Sequence, residues 1–396
     1  MRRAVIVVSV AVAAVGVALL ILHSGGGGSR TSTATPPPAK RIFGPLHTDG
    51  QRLVGSNGTV RLLGLDEPGL VSGSGNNKLT NPDSCGDGYL PVPDTEFDDF
   101  RRLGFNSVRL GVSWANMEPD PPTAGRPAWN RRYLTAVDDA VRGFTSQGIA
   151  VVLDMHANNL SPAFKDPKPG RCEGSGLPVW LFPQPEATTP TSAECTFLKG
   201  GSWPGGPSDP QAGYAAAWSM LARRYASNEL VVAADIFNEP STAGCRDLDM
   251  LPFYRRVGMA IRAADRNLVL IYQDNAAHHG GYLLTSPLEM PNVVYSFHLY
   301  PHDWADGEPL LAAHLEHVSG WSQPVWIGEF GVFREKGRGQ EPDPHWLPDL
   351  AAMMRYCRER GVGWAFHQYA GGRGSLVDAD TRRLRVDWLR GLQGGF

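Results

Sequence analysis

Two apolar segments of this chain end in a glutamate, and this feature limits the folds that the chain can adopt. Val231–Pro240 reads VVAADIFNEP, an apolar, β-branched run typical of a buried parallel strand that stops at Glu239 and its following proline. Pro324–Gly331, PVWIGEFG, repeats the pattern with Glu329. One such glutamate is typical of a solvated loop. Two of them favour a functional edge where the carboxyl ends of parallel strands meet.

Strand-like and helix-like segments alternate eight times along the 396 residues. The predicted strands are Arg61–Asp66, Asn106–Val112, Ile149–Asp154, Val231–Asn238, Leu268–Gln273, Asn292–Leu299, Pro324–Glu329 and Val362–Gln368. This alternation predicts an α/β fold, a single (β/α)8 TIM barrel over residues 41–396, without a second domain or an internal repeat.

Two additions to the barrel are predicted. Leu46–Leu65 holds two strand-like runs around a Gly-Ser-Asn-Gly turn, which indicates a β-hairpin cap closing the bottom of the barrel. Asn158–Pro210 is a loop of about fifty residues after strand 3, far longer than an ordinary connection. Its Trp and Cys content argues against disorder and favours a functional loop.

The amino terminus differs in composition from the rest of the chain. Two arginines precede Ala4–Leu22, an uncharged apolar run long enough to span a bilayer. Residues 1–23 are therefore predicted to be an uncleaved signal anchor, with a cleaved signal peptide as the alternative, and residues 24–40 form a Gly/Ser/Pro-rich linker. The arginines should stay in the cytoplasm, so the barrel is predicted to be extracytoplasmic, anchored to the membrane or secreted.

The five cysteines fit an exported chain, in which disulfides can form. Cys172 and Cys195 lie in the same long loop and are the preferred pair, and Cys85 and Cys245 form a possible second one. Cys357 falls in a helical pattern and is predicted to be a buried free thiol. No cysteine spacing indicates a zinc site, and the net charge of −3 gives no reason to expect nucleic acid as a partner.

The predicted strand ends bring many polar side chains to one rim: Arg109, His156, Asn238, Glu239, Gln273, His298, Tyr300, Glu329 and His367. Each alone has a structural explanation, but together they indicate an active site. Two carboxyl groups that face each other across a pocket can cleave a glycosidic bond, one as a protonated acid and the other as an ionised nucleophile.

Several of these side chains have chemistry that supports such a pair. Arg109 and Tyr300 are donors that can keep a nucleophile charged, and the Asn238 amide can bind the sugar's 2-hydroxyl. His156 can add a sugar contact. Asp154 can do the same, or it can be a buried, hydrogen-bonded structural residue.

Five motifs, IFNEP, IGEFG, NSVRLGVSW, LDMH and SFHLY, together resemble family 5 of the glycoside hydrolases, the cellulase-like retaining enzymes. The resemblance extends from Arg61 to Gln368. It implies a carbohydrate-hydrolysing enzyme without metal or cofactor, with Glu239 as acid/base and Glu329 as nucleophile. It also implies a supporting shell of Arg109, His156, Asn238, His298 and Tyr300.

One position departs from the family pattern. Family members usually carry a Trp on strand 8 beneath the sugar, whereas this chain reads WAFHQY. Either Trp364 serves as the platform, or His367 replaces it with a hydrogen-bonding ring. The sugar preference depends on which of the two faces the substrate.

Within the family, the GLPVWLF segment of the long loop is similar to the endoglycoceramidase-like branch. Leu177–Phe182 either receives an apolar aglycone or packs on the rim of the barrel. The expected substrate is a β-linked glycolipid or a β-glucoside with an apolar aglycone, ahead of endo-β-1,4-glucanase or mannanase activity.

Two readings of another class are weaker. A metal-dependent barrel hydrolase using Asp154, His156, His278, His279 and His298 would lack the usual HxH on strand 1. A non-catalytic surface carbohydrate-binding barrel should have lost one of the two glutamates.

Overall fold

The computed structural model describes residues 37–71, 89–157, 160–164, 175–241, 245, 247–274, 282–301, 304–331, 347–370, 375–378 and 381–396. Eight parallel strands close a barrel in chain order, which confirms the predicted TIM barrel. They are preceded by three short strands, β1 (His47–Asp49), β2 (Arg52–Gly55) and β3 (Gly58–Val60). The barrel strands are β4 (Leu63–Glu67), β5 (Ser107–Val112), β6 (Ala150–Met155), β7 (Val231–Asp235), β8 (Val269–Gln273), β9 (Val293–Leu299), β10 (Val325–Phe330) and β11 (Gly363–Phe366).

Strands β1 to β3 form a separate antiparallel sheet, so the predicted hairpin is present with one more strand. Leu46 and Leu53 join an apolar cluster with residues from the barrel interior such as Val152 and Ile271. The Asn292 side chain accepts a hydrogen bond from the Thr48 amide over 2.9 Å. The sheet therefore closes the amino-terminal end of the barrel, opposite to the strand tips.

The first described residues lie at the same end of the barrel as this sheet. The Ala39 amide donates a hydrogen bond to the Gly104 carbonyl over 2.9 Å, and Gly104 lies in the turn that leads into β5. Ala39 is buried and belongs to the main apolar core, so the last residues of the predicted linker are already part of the domain.

Nine helices surround the barrel in the described residues: α1 (Asp94–Arg102), α2 (Trp114–Met117), α3 (Arg131–Ser146), α4 (Pro190–Leu198), α5 (Pro210–Tyr225), α6 (Leu251–Ala264), α7 (Gly307–His317), α8 (Leu347–Glu359) and α9 (Val386–Gln393). Side-chain caps fix where several of them begin. The Asn130 side chain accepts from the Tyr133 amide at the start of α3. Asp209 does the same for Ala212 at the start of α5, with Pro210 in the first helical position.

The long connection after β6 contains more structure than the sequence indicates, since α4 lies inside it. Its apolar segment is largely buried: Leu177 and Leu181 are fully buried and Phe182 is 3% exposed. Val179 is half exposed, and the Trp180 indole donates to the Glu118 carbonyl over 2.9 Å. The segment therefore packs on the rim of the barrel, and Val179 is its exposed apolar side chain.

The structure pairs the cysteines differently from the prediction. A disulfide joins Cys195 of α4 to Cys245, with 5.3 Å between the Cα atoms. Both predicted pairings are wrong, because α4 carries Cys195 to the segment that follows β7. Cys85 and Cys172 lie outside the described residues. Cys357 is a buried free thiol, as predicted, and burial raises its pKa to about 12.

The predicted membrane segment is not among the described residues, since Ala4–Leu22 and residues 24–36 fall outside them. Within the part of the chain that is described, no helix combines the length and apolar character needed to cross a bilayer.

Candidate active site

All eight barrel strands place polar side chains at the carboxyl-terminal end of the barrel, the end that carries the chemistry of TIM-barrel enzymes. In strand order these are Asp66, Arg109, His156, Asn238 with Glu239, Gln273, His298 with Tyr300, Glu329 and His367. All nine side chains that the sequence assigns to the rim belong to one network of contacts. Asp66, Asp154 and Asp235 complete it.

Arg109 of β5 is the centre of this network. Its guanidinium donates to Asp235 Oδ2 over 2.8 Å, to Glu329 Oε1 over 2.5 Å and to Asn238 Oδ1 over 2.8 Å. It also lies 3.0 Å from Asp154 Oδ1. Arg109 is 2% exposed, so its charge acts at low dielectric, where ion pairs are strong and an unpaired charge is costly.

Glu329 of β10 is surrounded by donors and cations. Tyr300 donates to its Oε2 over 2.6 Å, and the Nδ1 atoms of His298 and His367 each lie 3.6 Å from the same oxygen. Burial alone would raise the pKa of Glu329. The charges of His298, His367 and Arg109 outweigh that effect and hold the pKa well below its ordinary value. Glu329 is therefore ionised at neutral pH, as a nucleophile must be.

Glu239 has a different environment, at the start of the segment after β7. Its backbone is left-handed, with φ of 49°, and its amide donates to Gln273 Oε1 over 2.9 Å. Its side chain is 37% exposed, against 5% for Glu329, so the rim presents Glu239 to solvent and buries Glu329.

His298 links the two carboxylates. Its Nδ1 lies 2.9 Å from Glu239 Oε1. Burial opposes ionisation of Glu239, but the hydrogen bond and charge of His298 lower its pKa overall. The pKa of His298 is raised, because the two glutamates outweigh its burial. The hydrogen bond therefore joins an imidazole of raised pKa to a carboxyl group of lowered pKa, whereas an acid catalyst needs a proton on Glu239.

One oxygen of Glu239 and one of Glu329 lie within 4.8 Å of each other, together with a ring nitrogen of His298. Asp66, Glu329 and His367 form a second group with the same spacing, so either group among the described residues could in principle ligate a metal. Both groups contain Glu329, whose oxygens already accept from Arg109 and Tyr300. A cation would have to displace these donors.

His156 and Asn238 occupy the side of the pocket formed by β6 and β7. His156 Nδ1 lies 2.8 Å from Asp154 Oδ2, and the charge of Asp154 outweighs burial to raise the pKa of His156. Asp154 is 1% exposed and lies against Arg109, so it is the buried structural residue rather than a sugar contact. Asn238 donates to the Ala157 carbonyl over 3.3 Å, which orients its amide.

The structure decides between the two candidates on strand 8. Trp364 is fully buried in the core, where it packs edge-on against Phe330 and stacks on Phe396, so its prediction as a substrate-binding residue is wrong. Successive residues of a strand alternate in direction, and Trp364 points toward the helices. His367 faces the pocket instead, with its Nδ1 3.0 Å from Asp66 Oδ2.

His367 is held as a cation. Burial lowers the pKa of His367, but the charges of Glu329 and Asp66 and the hydrogen bond to Asp66 raise it to about 9. Burial and the charge of Glu329 raise the pKa of Asp66 to about 6, in opposition to Arg109 and His367. The pocket therefore has an imidazolium where a stacking ring is usual.

Three acidic residues of the site were not recognised from the sequence. Asp66 is the penultimate residue of β4 and Asp235 is the last residue of β7, and both are almost completely buried. A carboxylate at the carboxyl end of an apolar strand was the available signal for both. Glu194 of α4 accepts a hydrogen bond from the Ser241 amide over 2.9 Å, and no pattern in the long loop indicated it.

Comparisons with known proteins show the family to which this chain belongs. Residues 85–372 match the family Cellulase (glycosyl hydrolase family 5). The chain belongs to glycoside hydrolase family 5. It is a TIM-barrel glycosidase, and the predicted resemblance is confirmed.

Relatives of this family 5 chain include two curated enzymes. An endoglucanase of Paenibacillus polymyxa is 26% identical, over 86% of this chain and 84% of its own length. Endoglycoceramidase I of Rhodococcus hoagii is 31% identical over a shorter stretch, 31% of this chain and 24% of the relative. A crystal structure of an endogalactoceramidase superposes with a TM-score of 0.71 at 23% identity, covering 89% of this chain and 85% of that one, which shows a shared fold.

Proposed function

We propose that this family 5 enzyme is a retaining β-glycosidase that acts by double displacement, with Glu329 as nucleophile and Glu239 as acid/base. The observation that carries the proposal is the close approach of the two carboxylates, with oxygens within 4.8 Å. Retaining glycosidases have carboxyl groups about 5–5.5 Å apart, whereas inverting enzymes leave about 6.5–9.5 Å for a water molecule.

In the first step, a Glu329 oxygen attacks the anomeric carbon while the bond to the leaving oxygen breaks. That oxygen takes a proton from Glu239. His298 Nδ1 lies 2.9 Å from Glu239 Oε1, so a proton on this nitrogen can pass to the carboxylate and convert Glu239 into the acid. As Glu329 becomes a neutral ester, His298 loses the charge that favoured its protonated form, which helps this shift.

In the second step, Glu239 is a carboxylate and removes a proton from water as the water oxygen attacks the anomeric carbon. The bond to Glu329 breaks, and its oxygen leaves as a carboxylate. Arg109 and Tyr300 already donate to this carboxylate, so its charge returns to donors that need no rearrangement. The new hydroxyl is on the face from which the original leaving group departed.

For the substrate, we favour a β-linked glycolipid or a β-glucoside with an apolar aglycone. Similarity to an endoglycoceramidase supports this choice, and the exposed Val179 offers a small apolar contact in the strand-3 loop. A second candidate is endo-β-1,4-glucan hydrolysis, supported by the longer match to an endoglucanase. Aryl β-glycosides, glycosylceramides and β-1,4-glucans form the panel that separates these classes.

The stereochemistry of anion rescue tests the two roles. Glu329→Gly removes the nucleophile and leaves space, so azide should attack an activated aryl glycoside and give a product of inverted configuration. Glu239→Ala should form the glycosyl-enzyme from the same substrate but hydrolyse it slowly, and azide should give a product of retained configuration.

Controls make this test decisive. Rescue products with the opposite configurations would exchange the two roles. Wild-type-like turnover of poorly activated substrates by either variant would remove this site from the mechanism. A wild-type chain that binds sugars in calorimetry but turns over no member of the panel would instead be a carbohydrate-binding barrel.

We also propose that the enzyme works outside the cytoplasm, attached to the membrane through residues 1–23. The support is the apolar run Ala4–Leu22 behind two arginines. Fractionation of cells that express the full chain, followed by protease treatment of intact cells, tests this. Membrane-bound, protease-sensitive protein is expected. A released form that lacks about the first two dozen residues would mean a cleaved signal, and protected cytosolic protein would contradict export.

A further inference from the structure

Helix α4 of the strand-3 loop contacts the segment that carries Glu239 at two points. Glu194 Oε1 accepts a hydrogen bond from the Ser241 amide over 2.9 Å. The next residue, Cys195, forms the disulfide with Cys245. Two consecutive residues of one helix therefore hold the chain just after the predicted acid/base.

This part of the chain needs support from outside, because it has left the sheet. Strand β7 ends at Asp235, and Glu239 follows with a left-handed φ of 49°, a conformation that costs free energy in a non-glycine residue. Its amide is fixed by Gln273. Pro240 has no amide hydrogen, so the Ser241 amide is the first donor after Glu239, and Glu194 accepts from it. These two hydrogen bonds fix the backbone at Glu239 and at the second residue after it.

Helix α4 is a firm support for this contact. Its Phe197 is fully buried and packs edge-on against Tyr214 and Phe253 of the surrounding helices. The Gln211 amide donates to the Phe197 carbonyl over 2.7 Å at the end of the helix. Displacement of α4 would break this core contact, so the position of Glu194 is set by the barrel itself.

We propose that Glu194 is a positioning residue for Glu239: through the Ser241 amide it fixes the backbone that aims the acid/base at the leaving oxygen. The inference rests on the proposed roles of the two glutamates. It assigns the long loop a part in proton transfer, beyond any contact with substrate. An error of about 1 Å in the placement of a catalytic group can lower a rate about 100-fold.

The chemistry of Glu194 suggests a matched pair of variants. Burial raises its pKa to about 8, so at neutral pH it is a neutral acid that accepts through its carbonyl oxygen. Glu194→Gln keeps this oxygen and the neutral charge. Glu194→Ala removes the acceptor, and Glu194→Asp withdraws it by one methylene without emptying the site.

The test compares these variants, in the full chain, on aryl β-glycosides whose leaving phenols span a range of acidity. Only poor leaving groups need the acid. Glu194→Ala and Glu194→Asp should lose about 10- to 100-fold in kcat/KM on the poorest leaving groups and less than about threefold on the best. Glu194→Gln should restore the wild-type dependence on the leaving group.

The outcomes distinguish the inference from the proposed function. If the wild-type chain retains configuration but Glu194→Ala loses the same factor on every substrate, or nothing, Glu194 does not position the acid. If the Glu194→Ala chain fails to fold, the comparison of Glu194→Asp with Glu194→Gln decides whether Glu194 positions the acid. If the wild-type chain inverts configuration or is inactive on the whole series, the proposed roles fail, whatever Glu194 does.

Discussion

The Tyr300 hydroxyl donates to Oε2 of Glu329 over 2.6 Å, a short hydrogen bond from a neutral donor to a buried carboxylate. Such a bond stabilises the ionised form of its acceptor. It differs from the Arg109 contact on the other oxygen, because the phenol adds no charge to the site. Tyr300 therefore tunes the nucleophile and can be removed without leaving an unpaired ion.

Tyr300→Phe should raise the pKa of Glu329, since the ionised form loses a donor. The acidic limb of the pH profile of kcat/KM reports the ionisation of the nucleophile, so it should move to higher pH. We expect kcat/KM to fall by about 10- to 1000-fold at neutral pH. An unchanged acidic limb in steady-state profiles of the variant would show that Glu329 does not control it.

Arg109→Met should destabilise the fold, because four buried carboxylates lose their common cation. Removal of one partner from a buried ion pair costs about 3–5 kcal/mol. Urea unfolding at neutral pH measures this loss. The loss should shrink toward pH 4, where Asp66 and Asp235, with pKa values raised to about 6, become protonated in the fold and need no counter-charge. An equal loss at both pH values would contradict this explanation.

Asp66→Asn should lower the pKa of His367 from about 9 toward its ordinary value, because a hydrogen-bonded negative charge is removed. Glu329→Gln should lower it as well, by removing a second charge 3.6 Å away. Imidazole NMR titration measures both shifts. The exposed His47 lies in the sheet at the other end of the barrel and serves as the reference, because neither substitution should change its resonances.

Glu96→Gln should make the protein more stable at pH 8 than the wild type. Glu96 of α1 hydrogen-bonds Glu67, and burial together with Glu67 raises its pKa to about 10, in opposition to Arg382. An ordinary glutamate titrates near 4.3, so the stability of the protonated pair is complete below about pH 4 and is lost as the pH rises toward 10.

Thermal unfolding across this range tests the Glu96 prediction. The advantage of the glutamine variant should be small at pH 4 and grow by at most about 1.4 kcal/mol per pH unit. Asp139, an exposed acid of α3, gives the matched control, and Asp139→Asn should show no comparable trend. A constant difference between variant and wild type would mean that Glu96 keeps no proton.

Trp364→Phe should affect stability and spare catalysis, because the ring is buried among Phe105, Phe330 and Phe396. We expect a loss of about 1–3 kcal/mol in the free energy of unfolding, with KM unchanged. His367→Phe should change KM, since this ring faces the pocket. A raised KM in Trp364→Phe, without any loss of stability, would show that Trp364 contacts the substrate.

The strand tips were predictable because the period of a strand and the direction of a parallel barrel are encoded locally. Glu239 and Glu329 each follow an apolar run, so their meeting required only that both runs belong to one barrel. Hydrophobic pattern alone also gave the bounds of the eight strands to within a few residues. His367 was less certain, since WAFHQY permits two registers and the alternation along β11 settles which ring turns inward.

The strand-3 loop could not be predicted in the same way. Its apolar residues do not recur with the period of a helix, so the sequence does not predict α4. The path that brings Cys195 to Cys245 depends on the packing of Phe197 in the core. Proximity in sequence favoured Cys172 as the partner, and tertiary packing overrode it. The role of Glu194 also depends on tertiary packing, because its hydrogen-bond partner Ser241 lies 47 positions away in the sequence.

The first described residues lie beside Gly104, at the end of the barrel that the β1–β3 sheet closes, whereas Glu239 and Glu329 lie at the opposite end. A tag or solid support joined to the domain through residue 37 is therefore attached away from the pocket and leaves the two glutamates accessible to substrate.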